Sequence, residues 1–298
     1  EEATVESCIA TIDKNKEART ELVAIKNFSV KDATMESLHV MIQNSAEDDS
    51  EALLMHKIES KGKPLKEWKV SIYRGVLTGF NEAFIIDTAT KEALCEKDAK
   101  SIDILKPILR GRDVQKYVTH WAGLWLINSH NNPPIQIDNY PAIKAHFNPF
   151  YPQLEKRQDK GKTPYNLRNC AYLADFEKPK IIWGEISDEP KFAYDETGAY
   201  AEATSFMMSG ENLKYLLAFL NSRLSKWYFE RISTTTGMGT NRWKKFKLEL
   251  LPIAQTDDET PFITLVDNIL TCKAKNPKAD TSELEAQIDT MVYQLYGL

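Results

Sequence analysis

The pattern of hydrophobic and polar positions is most regular between residues 209 and 253. In the first half of this stretch, apolar side chains recur at helical spacing, at Leu213, Leu216, Leu217, Leu220, Leu224, Trp227 and Tyr228. This spacing predicts a single amphipathic helix that ends near Ile232. Ser209 is its predicted N-cap, because a serine hydroxyl can accept a hydrogen bond from the unpaired amides of the first turn.

A second pattern follows after a polar loop. Phe246, Leu248 and Leu250 alternate with charged residues, which predicts a half-buried strand that ends at Pro252. The intervening loop is rich in glycine, threonine and arginine and contains Gly239. Because a buried helix and a strand would hold its two ends, this loop is suited to binding an anionic partner.

The remaining apolar runs predict a mixture of strands and helices. Predicted strands lie at residues 1–12, 22–28, 38–42, 122–127, 179–186, 191–195 and 204–209. Residues 69–87 predict two further strands joined by a turn at 75–79, and residues 110–113 predict another turn. Residues 139–157 predict a helix in two pieces, because two prolines interrupt it.

Residues 255–298 predict a pair of helices. Thr260 is the expected cap of the first helix, before Pro261, and Asp280 with Glu283 forms a capping-box-like pair before the second. The predicted apolar seams are Phe262, Leu265, Ile269 and Cys272 in the first helix and Leu284, Ile288, Met291, Leu295 and Leu298 in the second, with coiled-coil-like spacing. Eight acids and three lysines give this segment a net charge of −5, so we expect it to pack on protein rather than DNA.

Charge is distributed unevenly along the chain. Between Ser222 and Lys247 the only acid is Glu230, whereas seven residues are basic: Arg223, Lys226, Arg231, Arg242, Lys244, Lys245 and Lys247. This segment has a net charge of +6, although the formal charge of the whole chain is −5. The excess indicates either an anion-binding surface or a basic solvated surface without a ligand.

Composition narrows the class of protein. The 298 residues suffice for one large domain or two modest ones, with the apolar and charged fractions of a globular protein. No apolar run is long enough to span a membrane, and no signal-peptide pattern opens the chain. Cys8, Cys95, Cys170 and Cys272 lie far apart, so free thiols in a reducing cytoplasm are expected rather than disulfides or a zinc cluster.

The order of the predicted segments resembles a known family. From Trp68 to Ile253 the chain contains, in this order, RGVLTGFNEAFII, LKPILRGRDVQKY, WLIN, NYPAIKAHF, PYNLR, PKIIWGEI, LAFLNSRLSKWYF, the glycine loop and ELLPI. This set resembles the TaqI-like C-terminal specificity domain of type II adenine-specific DNA methyltransferases and type IIG restriction–modification enzymes. The terminal DTSELEAQIDTMVYQLYGL resembles the closing helix of these proteins, and residues 1–12 resemble the last strand of the preceding methyltransferase domain.

The resemblance implies sequence-specific DNA recognition by the C-terminal specificity fragment of a larger enzyme. The expected fold is a mixed α/β (α+β) specificity domain with a C-terminal two-helix, coiled-coil-like extension. We expect residues 1–62 to be the trailing segment of a methyltransferase domain, ending in a linker around residues 61–64. Residues 63–254 would form the target recognition domain and residues 255–298 the helix pair.

The same resemblance implies partners and cofactors. The expected partners are double-stranded DNA and the methyltransferase domain of the same protein, with no membrane. S-adenosylmethionine, with or without Mg²⁺, is expected for the parent enzyme, and no cofactor is expected for this chain. Two other functions stay open at this point: an autonomous nucleic-acid-binding module and a protein-interaction scaffold.

Ten residues in predicted turns and loops are candidates for DNA contact. Their side chains can bond to bases or phosphates, and they are Arg74, Thr78, Asn81, Arg110, Arg112, Arg168, Thr236, Arg242, Lys244 and Lys245. The sequence leaves open which of them read bases, which contact phosphate and which support the fold. Asn81, for example, is also a residue type that caps turns.

No catalytic residue is predicted. Residues 132–135 spell NPPI, close to the NPPY-type motif of adenine methyltransferases, in which the aromatic ring stacks on a flipped adenine. Ile135 has no aromatic ring and no glycine-rich cofactor loop lies upstream, so we expect a proline turn and no methyl transfer by this chain alone. The EK dipeptides at residues 96–97 and 155–156 are expected on solvated helix faces, and no metal site is predicted.

Overall fold

A computed structural model describes residues 46–233 and 241–298. The strands predicted at 1–12, 22–28 and 38–42 lie outside the described residues, as do Gly239 and the candidate Thr236. The chain divides into two compact units, residues 1–56 and 57–298. Of the first unit, the structure describes only the beginning of a helix, so the fold below is that of the second.

Ten α-helices are present in the part of the chain that the structure describes. They are α1 (Ala46–Lys61), α2 (Asn81–Phe84), α3 (Thr88–Lys97), α4 (Pro141–Phe147), α5 (Tyr151–Lys156), α6 (Leu213–Leu220), α7 (Arg223–Ile232), α8 (Lys245–Leu248), α9 (Thr260–Lys275) and α10 (Ser282–Tyr296). The predicted interruption between α4 and α5 is confirmed, because a 3₁₀ turn at Asn148–Phe150 separates them. None of these helices has the length and apolar character needed to cross a membrane.

The strands of the second unit are short. They are β1 (Gly62–Pro64), β2 (Val70–Arg74), β3 (Ile85–Asp87), β4 (Leu105–Leu109), β5 (Val114–Gln115), β6 (Val118–Thr119), β7 (Leu124–Ile127), β8 (Lys180–Gly184), β9 (Ile186–Ser187), β10 (Phe192–Asp195), β11 (Tyr200–Ala201), β12 (Ser205–Gly210), β13 (Asn241–Arg242) and β14 (Pro252–Ala254). The mixed α/β class predicted from the sequence is confirmed.

Two four-stranded sheets enclose most of the core. In the first, which we call the main sheet, the order is β10-β8-β12-β2 and all neighbours are antiparallel. The second has the order β11-β4-β7-β3, with β11 parallel to β4. Three cross-strand neighbours of the main sheet, Ala193, Ile182 and Met207, belong to the same buried cluster as the second sheet. Helix α6 packs against β8 and β10.

Strand β8, one of the two inner strands of the main sheet, is buried on both faces, which is why it reads as a continuous apolar run in the sequence. At its first residue, Lys180 is fully buried and forms an ion pair of 2.5 Å with Asp195 at the end of β10. The Lys180 ammonium also donates to the Phe176 carbonyl oxygen at 2.6 Å. The buried Lys180 ammonium is therefore both paired with a carboxylate and hydrogen-bonded, as a buried charge requires.

The single helix predicted from Leu213 to Ile232 is in fact two helices, α6 and α7. The Asn221 side chain lies at the break and bonds to both the N–H and the C=O of Phe192 in β10. Ser222, rather than Ser209, is a helix cap: its hydroxyl accepts from the Ser225 N–H at 3.1 Å. Ser209 lies within β12. The helical period continues across the break, so the contacts to β10 decide where the helix is interrupted.

The strand predicted at residues 246–250 is wrong. Residues Lys245–Leu248 form the one-turn helix α8, in which Leu248 is buried and Phe246 is 58% exposed. Leu250, beyond the end of α8, is 43% exposed. Three apolar residues over five positions are too few to distinguish the two periods. Pro252 begins a strand instead of ending one, because β14 pairs with β1. Gly62–Pro64 are therefore paired strand residues, and the linker predicted there is also wrong.

The predicted C-terminal helices are present, with different caps and a different buried face. The Asp258 carboxylate accepts from the N–H of Thr260, which is the first helical residue rather than the cap, and Asp280 accepts from the N–H of Ser282. The buried side chains of α10 are Ile288, Asp289, Val292 and Tyr296, whereas Leu284, Met291 and Leu295 are half-buried and Leu298 is exposed. The buried face of α10 differs from the predicted one because the two helices pack on the body of the unit as well as on each other.

Contacts with that body are made by both helices. Phe262 of α9 packs against Tyr215 and Phe219 of α6. The Tyr296 hydroxyl at the end of α10 bonds to the N–H of Ala254 and the C=O of Pro252 in β14. The domain boundaries at residues 62 and 254 stay predictions.

Candidate DNA interface

Basic residues from distant parts of the chain meet at one end of the main sheet. Strand β2 ends at Arg74 and β8 ends at Gly184, and both lie beside the first residues of β12. Short strand β9 follows β8 after one residue and pairs with β13, so that Ile186 lies opposite Arg242. The antiparallel register thus brings the ends of five strands together.

Glu185 lies at the centre of this arrangement, in the single residue between β8 and β9. Its carboxylate is 3.5 Å from the Arg242 guanidinium, 3.7 Å from that of Arg74 and 4.0 Å from the Lys244 ammonium. We call these four residues the Glu185 cluster. One carboxylate among three cations leaves an excess of positive charge, and the three basic side chains are between 39% and 57% exposed.

Trp243 fixes the two basic residues on either side of it. Its ring is buried and stacks on Phe229 of α7 with 3.9 Å between ring centroids. Its carbonyl oxygen accepts from the indole N–H of Trp183, and its own indole N–H donates to the Ser187 carbonyl oxygen. Because consecutive side chains of extended backbone point to opposite sides, burial of Trp243 directs Arg242 and Lys244 outward.

Arg74 is held at the end of β2 by backbone contacts. Its Nε donates to the Ala203 carbonyl oxygen at 2.8 Å, and its own carbonyl oxygen accepts from the Tyr172 hydroxyl. Burial raises the pKa of Tyr172 to about 12, so this hydroxyl remains a donor at neutral pH. The next residue must be small: a Cβ on Gly75 would lie 2.1 Å from the Glu202 carbonyl oxygen.

The predicted turn at residues 110–113 is confirmed, and its two arginines differ. Arg110 donates twice to Asp113, at 2.9 and 2.7 Å, and its backbone N–H donates to the same carboxylate. Burial opposes ionisation of Asp113, but the bonds from Arg110 outweigh it and lower the pKa of Asp113. Arg112 is exposed and forms no hydrogen bond or ion pair within the described ranges. The turn lies beside the sheet end, since Gly111 packs on Gly184.

Thr78 and Asn81 occupy a turn that is tied to the same region through Glu202. The Thr78 hydroxyl donates to the Asn81 side-chain oxygen and accepts from the Phe80 N–H. The Asn81 amide donates to the Glu202 carboxylate at 3.3 Å. Thr78 is 1% exposed, so a DNA contact from it would require the turn to open, whereas Asn81 is exposed.

The other candidates lie apart from the Glu185 cluster. Arg168 is 57% exposed and pairs with Asp159 at 3.2 Å. Lys245 is 49% exposed and pairs with Glu249 at 3.7 Å within α8 and the residue after it. The structure therefore brings together Arg74, Arg242 and Lys244, places the 110–113 turn beside them, and leaves Arg168 and Lys245 with acidic partners of their own.

A comparison with protein families identifies this part of the chain. Residues 106–253, from β4 into β14, match the model of the TaqI-like C-terminal specificity domain. This segment is a TaqI-like C-terminal specificity domain. It contains Glu185, Arg242 and Lys244, while Arg74 on β2 precedes it in the sequence and completes its main sheet.

Solved structures share the fold of the specificity domain and its flanking elements. The type IIL restriction–modification enzyme MmeI, solved in complex with DNA, matches 79% of the chain with a TM-score of 0.63 and 11% sequence identity. The type IIG restriction endonuclease BpuSI matches 89% of the chain with a TM-score of 0.50 and 15% identity. The chain covers 33% and 36% of these two proteins. No curated protein sequence matches the chain significantly.

Three residues of the specificity domain that the sequence analysis did not single out position its surface. Two are Glu185 and Trp243, whose signals were weak: an acid directly after a buried strand, and an aromatic residue between two basic ones. The third is Arg157, which is 7% exposed and donates to the carbonyl oxygens of Thr78, Asp159, Pro164 and Asn166. Burial lowers the pKa of Arg157 to about 10, so its guanidinium is still charged at neutral pH.

The NPPI segment of the specificity domain is a turn. Asn131 and Pro134 form an isolated bridge across it, and the Ile135 N–H donates to the His130 carbonyl oxygen. Ile135 packs against the main core. Within residues 46–233 and 241–298, no group of three or more His, Cys, Asp or Glu side chains is arranged to hold a metal ion.

Proposed function

We propose that this chain recognises a specific double-stranded DNA sequence for a type IIG restriction–modification enzyme or an adenine-specific DNA methyltransferase. The Glu185 cluster carries the proposal: three partly exposed cations from two distant segments converge on the surface of a TaqI-like specificity domain. Such a concentration of charge in a chain of net charge −5 attracts a polyanion locally. The MmeI structure, which shares the fold, contains DNA.

The exposed basic residues have chemistry suited to two kinds of DNA contact. Arg242 and Arg74 present planar guanidinium groups, which can bond to O6 and N7 of guanine together. Lys244 and Lys245 are flexible point charges, and Arg112 is exposed and forms no hydrogen bond or ion pair among the described residues. All three suit phosphate contacts, which set position without carrying sequence information.

The remaining activities would belong to other parts of the parent protein. The methyltransferase domain of the same protein is the proposed partner, and it would bind S-adenosylmethionine, with or without Mg²⁺ for the parent enzyme. Because the ligand is DNA, the proposed location is the cytoplasm.

The test is selection of a randomised duplex library by the purified chain, followed by binding measurements at several salt concentrations. We expect one enriched sequence and an affinity that falls steeply with salt. Salt sensitivity without an enriched sequence would indicate an autonomous nucleic-acid-binding module. Absence of DNA binding would favour the protein-interaction scaffold.

A matched pair of variants tests whether the Glu185 cluster is the binding surface. Arg74→Ala and Lys69→Ala each remove one positive charge, from opposite ends of β2. We expect Arg74→Ala to weaken binding to the enriched duplex and Lys69→Ala to leave it unchanged. Equal losses from both variants would mean that charge acts at long range and that the cluster is not the interface.

A further inference from the structure

We propose that Glu185 is a positioning residue that holds Arg242 and Arg74 for base reading, so that it raises sequence discrimination while lowering the affinity for DNA in general. The inference rests on the proposed function and adds to it a role for an acidic residue in a basic surface. A carboxylate is the group that phosphate repels most, so its place at the centre of a DNA-binding cluster calls for a physical reason.

The backbone of Glu185 is fixed on both sides. Its N–H donates to the Thr204 carbonyl oxygen at 2.9 Å, and its C=O accepts from the Trp243 N–H at 2.8 Å. Its side chain is 17% exposed, so the carboxylate has little freedom to turn away into water. Glu185 is therefore an anchored charge to which mobile cationic side chains can be drawn.

The distances around Glu185 differ from those of a pair that only supports the fold. Arg110 bonds to Asp113 at 2.7 and 2.9 Å and is 25% exposed, so most of its donors are used within the protein. Arg242 and Arg74 lie 3.5 and 3.7 Å from Glu185 and remain 44% and 57% exposed. Glu185 limits the range of these guanidinium groups but leaves their outer N–H groups available.

This arrangement has opposite effects on two kinds of binding. In any DNA complex, the Glu185 carboxylate cancels part of the positive charge that attracts phosphates. In the specific complex, holding the arginines near their bound orientation lowers the ordering cost of binding. A repulsive group can thus increase specificity, which is a difference between two affinities.

Replacing Glu185 with glutamine separates these effects. Glu185→Gln keeps the size and one oxygen of the side chain but removes its charge. We expect the affinity for a scrambled duplex to rise about threefold, with a steeper salt dependence, as for the gain of about one net cation. We expect the ratio of enriched to scrambled affinity to fall about tenfold, the size of one weakened bidentate base contact.

Glu211→Gln is the matched control. Glu211 pairs with Lys69 and follows β12 at the end of the main sheet opposite the Glu185 cluster. The control makes the same change in net charge and should leave both affinities unchanged. Thermal melting of both variants shows whether the fold is retained. Glu185→Asp is a second variant: it keeps the charge but shortens the reach, so the ratio should fall without any rise in affinity for scrambled DNA.

A triple variant, compared with the double arginine variant, tests whether Glu185 acts through the arginines. If it does, Glu185→Gln should cause no further loss of discrimination in a chain that already carries Arg74→Ala and Arg242→Ala. A ratio unchanged by Glu185→Gln and Glu185→Asp overturns the proposal. So does an undiminished loss in the background that lacks both arginines, because Glu185 would then read a base itself, as a carboxylate does when it accepts from the cytosine amino group. Equal binding of both duplexes by the wild type would instead refute the proposed function.

Discussion

Four arginines in the described part of the chain fall into two groups that differ in what their donors contact. Arg110 and Arg157 use most of their N–H groups on Asp113 and on four backbone carbonyl oxygens, respectively. Arg74 and Arg242 make longer contacts with Glu185 and stay about half exposed. Charge alone does not distinguish the groups; the number of donors left free for a ligand does.

At the residue scale, base reading and phosphate contact can be separated with Arg242 and Lys244. Arg242→Ala should cost about 1–3 kcal/mol on the enriched duplex and relax the preference at one base pair. Lys244→Ala should weaken binding to all duplexes alike and reduce the salt slope by about one. Both variants are measured against a randomised library at fixed salt. Equal losses on all sequences for Arg242→Ala would make it a phosphate contact and transfer base reading to Arg74 or the 110–113 turn.

The Arg110–Asp113 pair predicts a pH dependence of stability. Because the pKa of Asp113 is lowered in the folded state, the pair stabilises the fold fully above the ordinary aspartate pKa. This contribution is lost as the pH falls through the lowered value. Asp113→Asn should reduce the free energy of unfolding by about 2–3 kcal/mol at neutral pH, since a buried charge-assisted contact is removed.

Urea denaturation of wild type and Asp113→Asn, from pH 7 down to pH 2, measures this difference. The gap between the two proteins should narrow as the pH falls below about 4. A gap of constant size over the whole range would show that the carboxylate charge contributes nothing and that the asparagine disturbs the turn by its shape.

At the scale of secondary-structure elements, short strands and one buried tryptophan assemble the candidate interface. Strands β9 and β13 have two residues each and would not be stable alone. Trp243, stacked on α7 and bonded to residues of β8 and β9, fixes them to the main sheet. Helices α9 and α10 are joined to the same body through aromatic contacts with α6 and hydrogen bonds with β14.

Packing of α10 can be tested with one buried and one exposed position. Ile288 is 1% exposed, so Ile288→Asp should reduce the free energy of unfolding by about 3 kcal/mol or more, because it buries an unpaired charge. Gln287→Asp introduces the same group at the neighbouring exposed position and should change stability by less than about 0.5 kcal/mol. Equal melting temperatures for the two variants would contradict the packing described for α10.

At the scale of the whole molecule, charge is segregated. The segment from residue 222 to 247 carries +6, whereas residues 255–298 carry −5. Helices α9 and α10 of the acidic segment contact α6 and β14. The basic segment contains Arg242 and Lys244 of the Glu185 cluster. The chain covers about a third of MmeI and of BpuSI. Recognition and chemistry are therefore proposed to reside in different parts of the parent protein.

Methyl transfer by this chain alone is a direct test of that division. We expect none from S-adenosylmethionine to duplex DNA, because NPPI forms a turn whose Ile135 has no aromatic ring to stack on an adenine and packs against the core. Incorporation of labelled methyl groups, with a complete adenine methyltransferase as the positive control, measures this. Transfer that disappears in Asn132→Ala would show that the segment is catalytic after all.

Local patterns determined much of the fold. The apolar run around Ile182 predicted a strand, and Pro149 predicted the break between α4 and α5. The end of α7 at Ile232 and the turn at Gly111 were also predicted correctly. These features depend on near neighbours along the chain: side-chain period, restricted backbone angles and a missing N–H group. The ordered segments likewise sufficed to suggest the family that the comparison then identified.

Tertiary contacts decided the rest. Asn221 interrupts a continuous helical pattern because it bonds to Phe192, which is 29 residues away in the sequence. Residues 62–64 became a strand because β14 offers them a partner. Tertiary contacts also decided the site. The sequence alone indicated ten candidate residues. The central role of Glu185, however, follows only from its contacts with three cations on separate segments of the chain. Contacts between residues far apart in the sequence depend on their distances in space. The pattern of neighbouring residues along the chain does not specify these distances.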